Sequence, residues 1–149
     1  MTEAPTIGVV VVTHGQLATE LLNAAEMIIG DLPRFAALSV GWHDEVTVAR
    51  EALGRAIERV SDEGHLPVLV LTDMFGGTPS NIALSFLREG QVEVVTGVNL
   101  AMLIKLARPS RWPDLITLAR ELCEDGREAI RVASDLLRAA PGREPEVPE

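Results

Sequence analysis

The chain has 149 residues, 47% of them hydrophobic, which is long and apolar enough to bury a core and excludes a disordered protein. A net charge of −9 excludes nucleic acid and anionic membrane surfaces as natural partners, because their phosphates call for cations. No apolar run nears the ~20 residues of a membrane span; the opening MTEAP lacks the basic flank of a leader, and one cysteine excludes an internal disulfide, so a cytoplasmic protein is expected.

Residues 7–12 form an unbroken apolar run that stops abruptly at Thr13-His14-Gly15. A β-branched run without polar alternation fits a strand buried on both faces, as in a parallel sheet. An amphipathic helix follows, with Leu17, Leu21, Leu22, Ala25 and Ile28 on one face, running to about Ile29 and closing at Gly30. A second strand is expected over 34–40, then a turn at Gly41-Trp42-His43-Asp44. The next helix carries Val46, Ala49, Leu53, Ile57 and Val60 and ends near Gly64.

The run PVLVLTD, 67–73, is a second fully apolar strand ending at a polar residue. Thr78 then reads as an N-cap and Pro79 as the first helical residue. The helix takes Ile82, Phe86 and Leu87 inward and stops at Gly90. A fourth strand over 92–96 leads through Gly97-Val98 to Asn99, the cap of a short helix that ends before Pro109. A further helix carries Leu115, Leu118 and Leu122 and is interrupted by Gly126, and residues 129–133 fit either a helix or a short strand. Residues 1–140 read as one domain, and 141–149, rich in proline and glutamate, as a disordered tail.

Strands alternating with helices predict a doubly wound α/β sandwich of three layers, its mainly parallel sheet ordered 2-1-3-4. That order makes the first and third strands neighbours and sets the switch point between their carboxyl ends, where ligands of such sheets bind. Those ends carry His14 and Asp73. Gly15 leaves room for approach to the backbone, and the Gly76-Gly77-Thr78 turn offers unobstructed N–H donors. Two helix N-termini aimed at one crevice favour an anion. A carboxylate on one imidazole nitrogen leaves the other free as a nucleophile, and an anion pocket beside it suits phosphoryl transfer. With no P-loop lysine and no acidic cluster for magnesium, a phosphoprotein donor is expected and no cofactor or metal.

VVVTHG, DMFGGTPSN and VTGVNLAMLIKL, in that order, resemble the IIA domain of the mannose/fructose/sorbose family of the bacterial phosphoenolpyruvate-dependent sugar phosphotransferase system. The similarity runs from about Ile7 to the neighbourhood of Val132. It implies a phosphotransferase component whose His14 accepts phosphate from the phosphocarrier HPr and passes it to a IIB component. It implies Asp73 as the orienting carboxylate, and Thr13, Gly76, Gly77 and Thr78 as phosphoryl-pocket positions. Met74 and Phe75 match the apolar lip where partners dock. The family fold adds a C-terminal antiparallel strand exchanged in a homodimer, a part that 129–133 could supply. Many members continue into a IIB domain, whereas this sequence ends after a short tail, so IIB is expected on a separate chain. The alternative is a regulatory module whose phosphorylation state controls binding to a target protein without sugar transport.

Several residues read most simply as structural. Trp42 and Trp112 are expected to anchor packing, Met27 and Met102 to lie in the core, Cys123 to be a buried or half-buried thiol, and His65 to sit at the surface. His43-Asp44 reads as a solvated turn in which Asp44 helps to cap the second helix.

Overall fold

The computed structural model describes residues 6–138. Strand β1 (Gly8–His14) lies at the centre, and Val9, Val10, Val11 and Val12 on it are completely buried. Burying one such side chain contributes about 1.5–3 kcal/mol before chain entropy is counted. One edge of β1 pairs with β2 (Phe35–Val40) and the other with β3 (Val68–Thr72), while β4 (Val92–Thr96) pairs with β3. All pairs are parallel and the order is β2-β1-β3-β4, as the alternating pattern predicts.

Because side chains alternate along a strand, β1 and β3 each supply both faces. Val9, Val11, Leu69 and Leu71 face one core, closed by α1 (Leu17–Ile29), α4 (Leu100–Ala107) and α5 (Leu115–Glu128). Val10, Val12, Val68 and Val70 face the other, closed by α2 (Val46–Val60) and α3 (Thr78–Leu84). Three layers result.

Helix details depart from the sequence reading where packing overrides local signals. The buried face of α1 centres on Ala18 and Ala25, which are fully buried; Leu17 and Ile28 flank it exposed, and Met27 is 87% exposed rather than in the core. Gly77, at φ +84°, is the N-cap of α3, and Thr78 is its first residue. The helix stops at Leu84, short of Gly90, where the Ser85 hydroxyl donates to the Ile82 carbonyl (2.6 Å) and Arg88 bridges to Val92. Phe86 still packs inward, but Leu87 is exposed.

Gly126 does not interrupt α5 but sits buried within it. A Cβ there would lie 2.7 Å from Met102 Sδ, so this glycine permits close approach of α4, whose cap residue Asn99 also donates to the Gly126 carbonyl (3.0 Å). Met102 is buried as expected, and Cys123 and Trp112 are half-buried against the same core. His65 is exposed.

Residues 129–133 form no strand. Their backbone bonds are local, with the Ile130 N–H on the Arg127 carbonyl (3.2 Å), and α6 (Ala133–Arg138) begins at once. An extended segment becomes a strand only when a ladder partner lies alongside. The expected tail, 141–149, lies outside the described residues.

Candidate active site

Of the four loops that leave the sheet at its carboxyl edge, three are tied together at one point. The Gly15 N–H donates to the Val40 carbonyl (2.9 Å) and ties the loop after β1 to the loop after β2. Asp73 ties it to the loop after β3. Its Oδ2 accepts from His14 twice, from ring Nδ1 at 2.7 Å and from the backbone N–H at 3.1 Å. Its Oδ1 accepts from the Met74 N–H at 3.0 Å. Two residues 59 positions apart in the chain are thus one unit.

Solvent meets the two members unequally: the His14 side chain is 51% exposed and that of Asp73 only 14%. Burial pushes the Asp73 carboxyl up, but hydrogen bonds from the His14 ring and backbone, with the Coulombic pull of the ring, outweigh it and hold the group below its ordinary 3.8. An ionised carboxylate can only accept, so Nδ1 carries a proton, and in the neutral imidazole the lone pair is then on Nε2.

Gly77 meets that free nitrogen. A Cβ on Gly77 would lie 3.0 Å from Nε2 and 3.1 Å from Cε1. A side chain would therefore fill the space beside the nucleophile, and the positive φ already favours glycine. Gly76 at φ +99° and Gly15 at φ +54° also have left-handed backbones, with open space where a Cβ would stand.

Thr13 lies beneath the site, fully buried. Its hydroxyl accepts from the Ala18 N–H (2.7 Å) and donates to the His14 carbonyl (3.1 Å). It thereby caps α1 from the preceding strand, a task that the N-cap residue Gln16 leaves undone. Met74 and Phe75 stand at the rim, 53% and 75% exposed. Among the described residues, no group of three or more histidine, cysteine or acidic side chains is placed to hold a metal.

A protein-family model described as "PTS system fructose IIA component" matches residues 8–123. The chain belongs to this family. EIIA proteins of the mannose, fructose and sorbose class are phosphotransferase components of the sugar phosphotransferase system. The mannose-specific EIIAB component of Escherichia coli K12 is 34% identical over 91% of this chain, which spans 43% of that relative's length. The fructose-specific EIIA component of Bacillus subtilis is 29% identical over 88% of the chain and 89% of its own. Among solved structures, the mannose/sorbose-specific IIA subunit from Enterococcus faecalis superposes with a TM-score of 0.76 at 30% identity, covering 96% of this chain and 99% of the other. The IIA protein associated with a fucose utilisation operon of Streptococcus pneumoniae gives 0.77 at 26% identity, covering 91% and 99%.

Within this EIIA protein, one residue of the site cleft escaped the sequence reading. Trp42 is 100% exposed instead of anchoring a core. With His14, Gly15, Val40, Gly41 and Thr78 it lines a cleft of about 550 Å³. Asp44 does not cap α2; its Oδ2 accepts from the Gly41 N–H (2.5 Å) and closes the turn that carries Trp42. The legible signal was an aromatic residue inside the polar turn GWHD, which no apolar periodicity demands. No helix among the described residues is long and apolar enough to cross a membrane.

Proposed function

We propose that this EIIA protein is a phosphohistidine carrier. In this reading Nε2 of His14 attacks the phosphorus of a phosphohistidine on an HPr-type carrier. A P–N bond forms on His14 as the donor's P–N bond breaks, and the donor ring leaves with the electron pair. The His14 ring then bears the positive charge, with its Nδ1–H retained, and the ionised Asp73 stabilises it. Backbone N–H groups of Gly76, Gly77 and Thr78 are the donors proposed for the phosphoryl oxygens, with Gly15 allowing their approach. Met74 and Phe75 are proposed for partner contact. A IIB component takes the group by the same displacement, run from His14 to the acceptor. No electrons change hands and no cofactor is required. The observation that carries the reading is the 2.7 Å pairing of Nδ1 with Asp73, which turns Nε2 away from the carboxylate on a side chain that is half in solvent.

Incubation with phosphoenolpyruvate, enzyme I and HPr is expected to add one phosphoryl group. His14→Ala should add none yet still fold with at most a small drop in thermal midpoint, since an exposed strand-end ring contributes little to the core and only its bond to Asp73 is lost. Phosphate uptake by that variant at the normal rate would end the proposal. Asp73→Ala should fold and accept phosphate about 10²- to 10⁴-fold more slowly; an unchanged rate would remove its orienting role. Adding a IIB component should discharge the phosphoprotein. A stable phosphoprotein that IIB leaves untouched would instead point to a regulatory module.

A further inference from the structure

Trp42 has no packing role that would explain it. It is 100% exposed, at the tip of a turn braced on both sides by Asp44, whose carboxylate takes the Gly41 N–H (2.5 Å) and whose own N–H reaches the Gly41 carbonyl (3.3 Å). A braced turn presents its side chain at low entropic cost, and tryptophan combines a large apolar face with an N–H donor, the features of an interface anchor. It also shares the cleft with His14. In-line transfer requires the donor histidine to come within a phosphoryl group's width of Nε2, so the protein bearing it must cover whatever stands beside that nitrogen.

From this placement we infer that Trp42 is a specificity-determining docking residue for the phosphohistidine-bearing donor, closing over the donor's surface beside the transferred group. The inference rests on the phosphocarrier reading and names a residue of its partner interface. Asp44 and Glu45 next to Trp42 are exposed and acidic, so the complementary donor surface has an apolar patch flanked by cations. Leu17 at the start of α1 and Met74 and Phe75 in the loop after β3 are exposed apolar side chains as well.

The test is single-turnover phosphate transfer from phosphorylated HPr over a range of HPr concentrations. Trp42→Ala should raise the half-saturating HPr concentration on the order of 10- to 100-fold while the saturated rate changes by about twofold or less. Trp42→Phe should recover most of the loss. A second readout uses emission: Trp112→Phe leaves Trp42 as the sole tryptophan. With His14→Ala added to block transfer, phosphorylated HPr should shift Trp42 emission to the blue. A Trp42→Ala protein with normal half-saturation, or Trp42 emission unmoved at saturating HPr, overturns the docking role. Wild-type protein that takes up no phosphate at all brings down the carrier reading instead, and the docking role with it.

Discussion

At the scale of the residue, reactivity rests on one hydrogen bond. Asp73 both orients His14 and decides which nitrogen is free, and its depressed pKa has a consequence for stability. A carboxyl held below its ordinary 3.8 by native hydrogen bonds binds fewer protons when folded than when unfolded. Its stabilising contribution is therefore complete above that value and is lost as the pH falls through the lower folded one. Urea unfolding of the wild type should show a loss of stability on acidification that Asp73→Asn reduces; identical pH profiles would refute the linkage. Gly77 constrains the other nitrogen. Gly77→Ala puts a methyl 3.0 Å from Nε2 on a backbone at φ +84°. It should slow phosphate uptake about 100-fold, the scale of a small misplacement at a reacting atom, with a stability cost of roughly 1–2 kcal/mol. Phosphotransfer kinetics beside a urea melt would check both. The chemistry of His14 and Asp73 was legible because each ends an apolar run with a polar side chain. Trp42 was legible only as an aromatic ring set in a polar turn, because whether such a ring folds under or stands out depends on what lies beneath it.

At the scale of the element, the strands were read to within a residue or two, since β-branched runs bounded by turn residues leave little choice. Helix ends were harder. Thr78 has the residue type of an N-cap, yet the position falls to Gly77, whose positive φ is what the turn beside His14 requires. Gly126 has the residue type of a stop, yet α5 runs through it because Met102 of α4 needs the space. Glycine therefore marks two different demands, a backbone conformation or a close contact, and only the neighbour across the gap distinguishes them. Gly8 belongs to the second kind. A Cβ there would lie 2.4 Å from the Val60 carbonyl oxygen at the end of α2, a backbone atom that cannot rotate aside. Gly8→Ala should cost about 1–3 kcal/mol or more, read as a lowered midpoint in thermal or urea unfolding; an unaltered midpoint would show that α2 can retreat freely.

At the scale of the molecule, the parallel order β2-β1-β3-β4 brings the ends of β1 and β3 together and so makes a site of two residues far apart in the chain. The net charge of −9 acts over the same distances. A donor whose docking face is cationic should be steered toward the acidic surface, so the second-order rate of phosphate uptake should fall roughly tenfold or more between low and high salt. Stopped-flow measurement at several ionic strengths checks this, and a rate indifferent to salt would leave apolar contact alone to guide the encounter. Ile130 and Val132 are 78% and 64% exposed in a segment that makes no strand, so the strand alternative for 129–133 finds no ladder partner among the described residues.

The amino-acid order by itself determined the α/β class, the burial of β1 and β3 on both faces, and the two polar residues delivered to their ends, because periodicity and burial are properties of short stretches. Tertiary structure alone decided which nitrogen of His14 is free, that Thr13 caps a helix beneath the site, and that Trp42 faces solvent at the cleft. Those outcomes depend on atoms from separate loops arriving within a hydrogen bond or a van der Waals contact of each other, and no local pattern specifies what will be waiting on the other side.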